Sequence, residues 1–148
     1  MQQPLTKVRR DEEMNWDLMP GHPGLYHKEI MNAEDADQLN VRMSSILWER
    51  IDVAGAVLPH YHDVAEVICI TVGKVRLLCN GEWQSFKAGD TFLVPAGVVH
   101  SVVNDDTEPT EQISLFIPTH GAKTSNRFFG TTLVDIPLER ESEEYVRP

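Results

Sequence analysis

The sequence predicts a single all-β domain, a barrel or sandwich of short strands joined by tight turns. Its 148 residues suffice for one domain with a buried core. Apolar segments of strand length recur from residue 66 onwards, at 66–72, 75–79, 83–86, 91–95 and 112–118. Turn residues separate them, and Asn80-Gly81 is a pair that type I′ hairpin turns prefer because both central residues need positive φ. We therefore expect very little helix.

Charge and composition narrow the classes of function. The chain has 23 acidic and 13 basic residues, a net charge of -10, so no basic surface for nucleic acid or an anionic membrane is expected. It shows no apolar run long enough to cross a bilayer and no secretory signal, so we expect a cytoplasmic protein. Two cysteines are too few for a disulfide framework. A hairpin turning at Gly73 would place Cys69 opposite Leu77 or Leu78, so Cys69 and Cys79 are expected to be small apolar residues without a bridge.

The N-terminal part of the chain, residues 1–32, is expected to be an arm that ends in an edge strand. Residues 11–19 predict a short helix, and residues 26–30 predict the strand. His22 and His27 lie among turn residues, so we interpret them as loop or surface histidines.

The next segment, residues 33–40, is expected to be an acidic loop that leads into a strand within residues 41–53. Alternation in that strand does not decide which face is buried. One set of alternating residues places Arg50 inside and the other places Glu49 inside. Whichever charge points inward is a candidate substrate contact, and the alternative is a charge paired in a salt bridge or at a subunit interface.

Three histidines and one glutamate form a candidate metal site. Side chains alternate along a strand, so His60 and His62 project to the same face. After a three-residue turn, Glu66 begins the next apolar strand and can point back at both rings, and His100 follows in a later segment. Three imidazole nitrogens and one carboxylate oxygen suit a divalent transition metal. In a six-coordinate site, two positions would remain for water, dioxygen or substrate.

These residues stand in two segments that resemble the paired motifs of the cupin superfamily. The first segment, residues 55–73, matches through His60, His62, Glu66 and Gly73. The second, residues 89–104, matches through Gly89, Pro95, Gly97, His100 and Asn104. Four residues separate Gly55 from His60, where the family pattern has five. We interpret the glycines and the proline as turn residues and Asn104 as a turn or hydrogen-bonding residue rather than a ligand.

The resemblance implies a cupin-type jelly-roll β-barrel. Residues 33–120 are expected to form it, with residues 1–32 and 121–148 as short N- and C-terminal extensions that pack on the barrel or on a partner subunit. His120 is expected to be a loop residue. The resemblance also implies a homodimer, for which the arm is long enough to cross between subunits. Candidate interface aromatics are Trp16, Trp48, Phe128 and Phe129.

The resemblance further implies one divalent metal per chain and a small-molecule substrate. We favour Fe(II) or Mn(II), with Zn(II) and Ni(II) as alternatives, and a dioxygenase-like enzyme acting on a small enol, carbonyl or carboxylate. One alternative is a non-redox isomerase, lyase or cyclase in which Glu49 or Tyr26 acts as acid or base, and another is a ligand-binding module without turnover. The inward residues near the metal are expected to be Ile68, Ile70, Val102 and either Thr91 or Leu93.

Overall fold

The computed structural model describes residues 5–121, 126–127 and 130–139. Two candidate interface aromatics, Phe128 and Phe129, lie outside these residues. The strands are β1 (Asp17–Leu18), β2 (Leu25–Met31), β3 (Ser45–Ile51), β4 (Ala56–His62), β5 (Ala65–Val72), β6 (Lys74–Cys79), β7 (Glu82–Lys87), β8 (Thr91–Val94), β9 (His100–Asn104), β10 (Thr110–Ile117) and β11 (Thr131–Leu133). One helix, α1, spans Ala33–Leu39. Within this part of the chain no helix is long and apolar enough to span a membrane.

The strands form two antiparallel sheets that pack face to face. The first sheet has the order β1-β2-β3-β10-β5-β8, and the second has the order β11-β4-β9-β6-β7. From β3 to β5 and from β8 to β10 the chain alternates between the sheets, which agrees with the jelly roll that the resemblance implies. The prediction of an all-β domain is confirmed. The shared apolar core consists of Leu25, Ile51, Val57, Ile68, Ile70, Val75, Leu77, Phe92, Val94 and Val102.

In strand β3, the alternating residues that face the core are the set that contains Glu49. Leu47, Glu49 and Ile51 are buried, and the Glu49 residue is only 4% exposed. Arg50 lies on the outer face, where its guanidinium stacks over the ring of Trp16 at 5.0 Å. From the sequence alone, either set of alternating residues could face the core, because each set contains one charged residue. Of the two candidates, Glu49 is therefore the charge that lies between the sheets.

In strand β8, the residues that face the core are not the ones predicted. Thr91 and Leu93 are exposed, whereas Phe92 and Val94 are buried, so the expectation that Thr91 or Leu93 lines the site is wrong. The reason is the register with β5, which pairs Phe92 with the inward residue Ile68. The other three expected inward residues, Ile68, Ile70 and Val102, are buried as predicted.

The region before strand β3 differs from the predictions in three places. Residues 11–19 form a single 3-10 turn, Asp11–Glu13, followed by β1 instead of a helix. Strand β2 is not an edge strand, because β1 pairs with it. The predicted acidic loop at 33–40 is helix α1, which begins with a capping box: Asn32 and Asp35 each accept a hydrogen bond from the other's backbone N–H.

The turn at Gly73 is not the predicted hairpin. Strands β5 and β6 lie in different sheets, so Cys69 and Cys79 are not on paired strands, and both thiols are free and half-buried. Gly73 has φ +88°, and a Cβ there would lie 2.7 Å from Thr110 Cγ2, so this crossing requires glycine. The hairpin at Asn80-Gly81 is confirmed, with φ of 53° and 81° between β6 and β7.

Candidate metal centre

Strands from both sheets bring together three histidines and one glutamate. His60 and His62 alternate along β4 and are buried, while Tyr61 between them points outward. In the same sheet β9 pairs with β4 so that His100 lies opposite His60. Strand β5 of the other sheet supplies Glu66 from across the core. All four residues are at most 7% exposed.

The ring nitrogens and the carboxylate converge on one point. The Nε2 atoms of His60 and His62 lie 2.9 Å apart. Glu66 Oε1 lies 2.8 Å from His100 Nε2 and 3.3 Å from His62 Nε2. One ligand-type atom from each of the four residues lies within 4.8 Å of the others. The structure thus brings together the whole set that the sequence predicted.

The second nitrogen of each ring has its own partner, which orients the ring. His60 Nδ1 donates to the Leu58 carbonyl at 2.6 Å, and His100 Nδ1 donates to the Val98 carbonyl at 2.9 Å. Because a carbonyl only accepts hydrogen bonds, both Nδ1 atoms carry a proton and both Nε2 atoms face the cluster. This is the arrangement that metal-binding histidines adopt.

The donor set fits a divalent transition metal. Three imidazole nitrogens and one carboxylate oxygen form a borderline site that suits iron, manganese, nickel or zinc better than magnesium or calcium, which prefer oxygen ligands. A closed, buried cluster of this kind costs stability unless each group is paired, and a bound cation would pair all four at once. The residues present therefore fit a metal, but they do not specify which one.

The protonation states of His60 and Glu66 also suit a metal. Burial, together with the charge of His100, lowers the pKa of His60 to about 4, so this ring is neutral at pH 7. Burial raises the pKa of Glu66, but hydrogen bonds from His100 and His62 outweigh it, and the net pKa is lowered to about 2. A neutral imidazole and an ionised carboxylate are the forms that bind metal ions. Burial lowers the pKa of His100, but its hydrogen bond to Glu66 outweighs this and the net pKa is raised, so a metal would displace the proton that His100 Nε2 donates to Glu66.

A small, partly open cavity of about 120 Å³ adjoins the four residues. At roughly 30 Å³ per water molecule, this volume holds about four waters or the reacting end of a small organic molecule. Its walls combine apolar side chains with a few polar groups. They are formed by Met19, His22, Leu25, Leu47, Glu49, Val57, His60, His62, Glu66, Ile68, His100, Val102, Gln112, Phe116 and Thr131.

Glu49 is the acidic residue of this cavity that is not part of the ligand cluster. Its carboxylate accepts hydrogen bonds from the Ser114 hydroxyl and, at 3.2 Å, from Gln112 Nε2. Burial, and then the charge of Glu66, raise the pKa of Glu49 to about 7 although these hydrogen bonds lower it. Glu49 therefore holds or releases a proton close to neutral pH. Ser114 and Gln112 were not predicted, because three of the four apolar residues of β10, Ile113, Leu115 and Ile117, belong to the other set of alternating residues.

His22 is part of the site, contrary to its interpretation as a loop or surface histidine. Its Nδ1 accepts a hydrogen bond from the Leu58 N–H at 2.9 Å, and its ring lies 5.9 Å from the ring of His60. Leu58 is also the residue whose carbonyl orients His60. No local pattern predicts this contact, since His22 and Leu58 are far apart in the sequence and meet only through the fold.

The structure does not bring the other candidate acid or base, Tyr26, to the cavity. It lies on the outer face of the first sheet, where the Arg50 guanidinium stacks over its ring at 4.8 Å. His27 is half-buried on β2 and does not line the cavity. His120 is exposed in a turn after β10, as expected.

A second, larger cavity also borders His100. It has a volume of about 520 Å³ and opens between β6, β7 and β8. The rings of Phe86 and Phe92 pack edge to face at 4.7 Å in its wall. His100 therefore borders both cavities.

Comparison with solved structures finds the same fold. The polyketide cyclase RemF from Streptomyces resistomycificus shares 14% identity, with a TM-score of 0.69 over 90% of this chain and 88% of that one. A predicted oxalate decarboxylase from Thermotoga maritima shares 20% identity, with a TM-score of 0.68 over 76% and 100%. An RmlC-like cupin from Shewanella frigidimarina shares 19% identity, with a TM-score of 0.62 over 79% and 95%.

Comparison with protein families gives a more local result. A search of curated proteins finds no match. The family model of the cupin domain matches residues 47–116. This region includes Glu49, all four ligand-type residues and both motifs. This match spans just under half of the chain and, together with the shared fold and the buried cluster of three histidines and one glutamate, it confirms the predicted resemblance to the cupin superfamily.

Proposed function

We propose that this protein is a metal-dependent enzyme that transfers a proton to or from a small organic molecule, as an isomerase, lyase or cyclase does. The observation that supports this proposal is the position of Glu49. A buried carboxyl group with a pKa of about 7 lines the same cavity as His60, His62, Glu66 and His100. Groups that exchange protons in catalysis have pKa values near the working pH.

Each part of the cavity has a role in this proposal. A divalent metal held by the four ligand residues would polarise a carbonyl or enol oxygen of the substrate. Glu49 takes a proton from the adjacent carbon or returns it, and Ser114 and Gln112 hold its carboxyl group in place. Apolar residues such as Ile68, Val102 and Phe116 form much of the remaining wall and lower the polarity around the reacting groups.

Two of the structural relatives carry enzyme names, a polyketide cyclase and a predicted oxalate decarboxylase. They support an enzyme rather than a binding module. Identities of 14% and 20% do not transfer a reaction or a substrate. The reaction class proposed here therefore rests on Glu49.

A dioxygenase-like enzyme is the second candidate. The observation in its favour is the donor set, since three histidines and one carboxylate suit Fe(II) or Mn(II) and leave coordination positions for a substrate and dioxygen. In that case Glu49 would contact the substrate without exchanging a proton.

One experiment separates the two candidates. The purified protein is analysed for metals and then tested on small keto acids, enols and hydroxy carbonyls in D₂O, with dioxygen uptake recorded in parallel. Metal-dependent incorporation of deuterium into the substrate, lost in Glu49→Gln, would support the proton-transfer enzyme. Substrate-dependent oxygen uptake that survives in Glu49→Gln would support the dioxygenase instead, and a metal-loaded protein with neither activity would favour a binding module.

Glu49→Gln should also change how stability depends on pH. The pKa of Glu49 is raised from 4.5 to about 7, so the folded chain binds this proton more tightly than the unfolded chain does. The stability that this proton contributes is fully present below pH 4.5 and is lost as the pH rises through 7. Urea unfolding of the metal-free proteins should show the variant gaining roughly 2 to 3 kcal/mol on the wild type between about pH 5 and about pH 8.5. An equal difference at both pH values would contradict a shifted Glu49.

We also propose a homodimer that forms through the outer face of the first sheet. Apolar residues lie side by side across four strands of this face, with Ile46, Leu115, Val67 and Leu93 in one row. A net charge of -10 opposes self-association, so a face without charges in its central row is where two copies meet at the lowest electrostatic cost.

Light scattering tests the dimer. The wild type should have about twice the 16.8 kDa mass of one chain. Val67→Glu, at the centre of the face, should give single chains, whereas Val53→Glu in an exposed turn should remain dimeric. A wild-type particle of 16.8 kDa would refute the dimer.

A further inference from the structure

Thr131 connects the C-terminal part of the chain to the metal centre. Strand β11 pairs with β4 so that Thr131 lies opposite His62 and Leu133 lies opposite His60. The Thr131 hydroxyl is 2.8 Å from His62 Nδ1, and Thr131 forms part of the cavity wall. The strand that carries two of the four ligand residues is therefore covered at its edge by a strand that lies outside both motifs.

Hydrogen bonds on both sides of Thr131 hold this strand in register. The Gly130 N–H donates to the Asp63 carboxylate at 2.7 Å. Beyond the other end of β11, the Val134 N–H donates to the Pro59 carbonyl at 2.9 Å. The backbone at Thr131 is thus fixed independently of its side chain, so a change of the hydroxyl alone should leave β11 in place.

The partner of His62 differs in kind from the partners of the other two rings. His60 and His100 each donate to a backbone carbonyl, which only accepts, whereas the Thr131 hydroxyl both donates and accepts. Without metal, His62 Nε2 can donate to the unprotonated Nε2 of His60, 2.9 Å away, and the hydroxyl then donates to His62 Nδ1. With a metal on Nε2, the proton of the neutral His62 ring must be on Nδ1, and the Thr131 hydroxyl then accepts a hydrogen bond from Nδ1.

We propose that Thr131 is a positioning residue of the metal centre, whose hydroxyl holds the His62 ring with Nε2 facing the other ligands in both of its tautomers. This inference rests on the proposed metal site. It adds a residue from the C-terminal extension to a centre that the two motifs would otherwise supply alone.

Metal affinity tests the role of the hydroxyl. Thr131→Val keeps the shape and the strand preference of threonine but removes the hydroxyl, and Thr131→Ser keeps the hydroxyl. Calorimetric titration of metal-free protein with Mn(II) or Zn(II) should show Thr131→Val binding about 10- to 100-fold more weakly than the wild type, the usual effect of losing a partner of a ligand histidine. Thr131→Ser should bind as the wild type does. Thr132→Val is the matched control, because Thr132 lies opposite the outward residue Tyr61.

Two results would overturn the inference. The first is unchanged affinity in Thr131→Val, and the second is an equal loss in Thr131→Ser, since the hydroxyl would then be irrelevant. A crystal structure of metal-free Thr131→Val provides a readout that does not depend on metal binding: the His62 ring should be rotated relative to the wild type, and an unmoved ring overturns the inference. A wild type that binds no metal would refute the proposed function separately, and the ring orientation would still decide the role of Thr131.

Discussion

Replacing His100 by alanine is expected to leave the protein without stoichiometric metal. His100 supplies one of the three ring nitrogens of the cluster and is also the hydrogen-bond partner of Glu66 at 2.8 Å. The variant therefore loses one of the four ligands. Elemental analysis after loading with Mn(II) and gel filtration should show a fall from about one ion per chain to almost none. The same result is expected for His60→Ala.

The matched control is His120→Ala, which removes an exposed histidine in a turn after β10. This variant should retain the metal content of the wild type. Unchanged metal content in both His60→Ala and His100→Ala would show that the cluster is not the metal site. Thermal unfolding of each metal-free variant establishes that the compared proteins are folded.

Asn104→Ala is expected to be among the most destabilising single substitutions in the second motif. Asn104 is 1% exposed, and its side-chain amide donates to the carbonyls of Ile51 and Glu108 while its oxygen accepts from the Asp106 N–H. These three bonds join the end of β9 to β3 and to the loop before β10. Alanine would leave the buried Ile51 carbonyl without a partner, at roughly 1 to 3 kcal/mol, and would remove two part-buried bonds worth roughly 0.5 kcal/mol each, so the free energy of unfolding should fall by about 3 kcal/mol.

Urea unfolding of the metal-free protein measures this loss. The exposed Asn15 provides the control, since Asn15→Ala should change the free energy of unfolding by less than about 0.5 kcal/mol. A loss below about 1 kcal/mol in Asn104→Ala would contradict a structural role for its hydrogen bonds. The sequence indicated that Asn104 forms hydrogen bonds rather than binding metal, and the structure confirms this.

The ligand cluster could be predicted because its signal is local. Two histidines at alternate positions of a strand must share a face, and the short turn before Glu66 brings the next strand back across them. The hairpin at Asn80-Gly81 was predictable for the same reason, since positive φ is a property of the residues themselves. His100 required the second motif, because its distance from His60 is set by the pairing of β4 with β9.

The supporting residues could not be predicted because their contacts are non-local. His22 and Thr131 reach the cluster from opposite ends of the chain, and nothing in their neighbouring residues marks them. Which residues of β3 face the core could not be predicted, because both faces of the first sheet are rich in apolar residues. The turn at Gly73 was misread as a hairpin, since a sequence does not show whether successive strands pair or change sheets.

Anomalous diffraction from crystals of the metal-loaded protein tests the central claim most directly. Data collected at the absorption edge of the bound metal should show one strong peak between the two sheets, with the Nε2 atoms of His60, His62 and His100 and an oxygen of Glu66 at about 2.0 to 2.2 Å. A protein that takes up no metal, or a peak that any of these four residues does not contact, would contradict the claim.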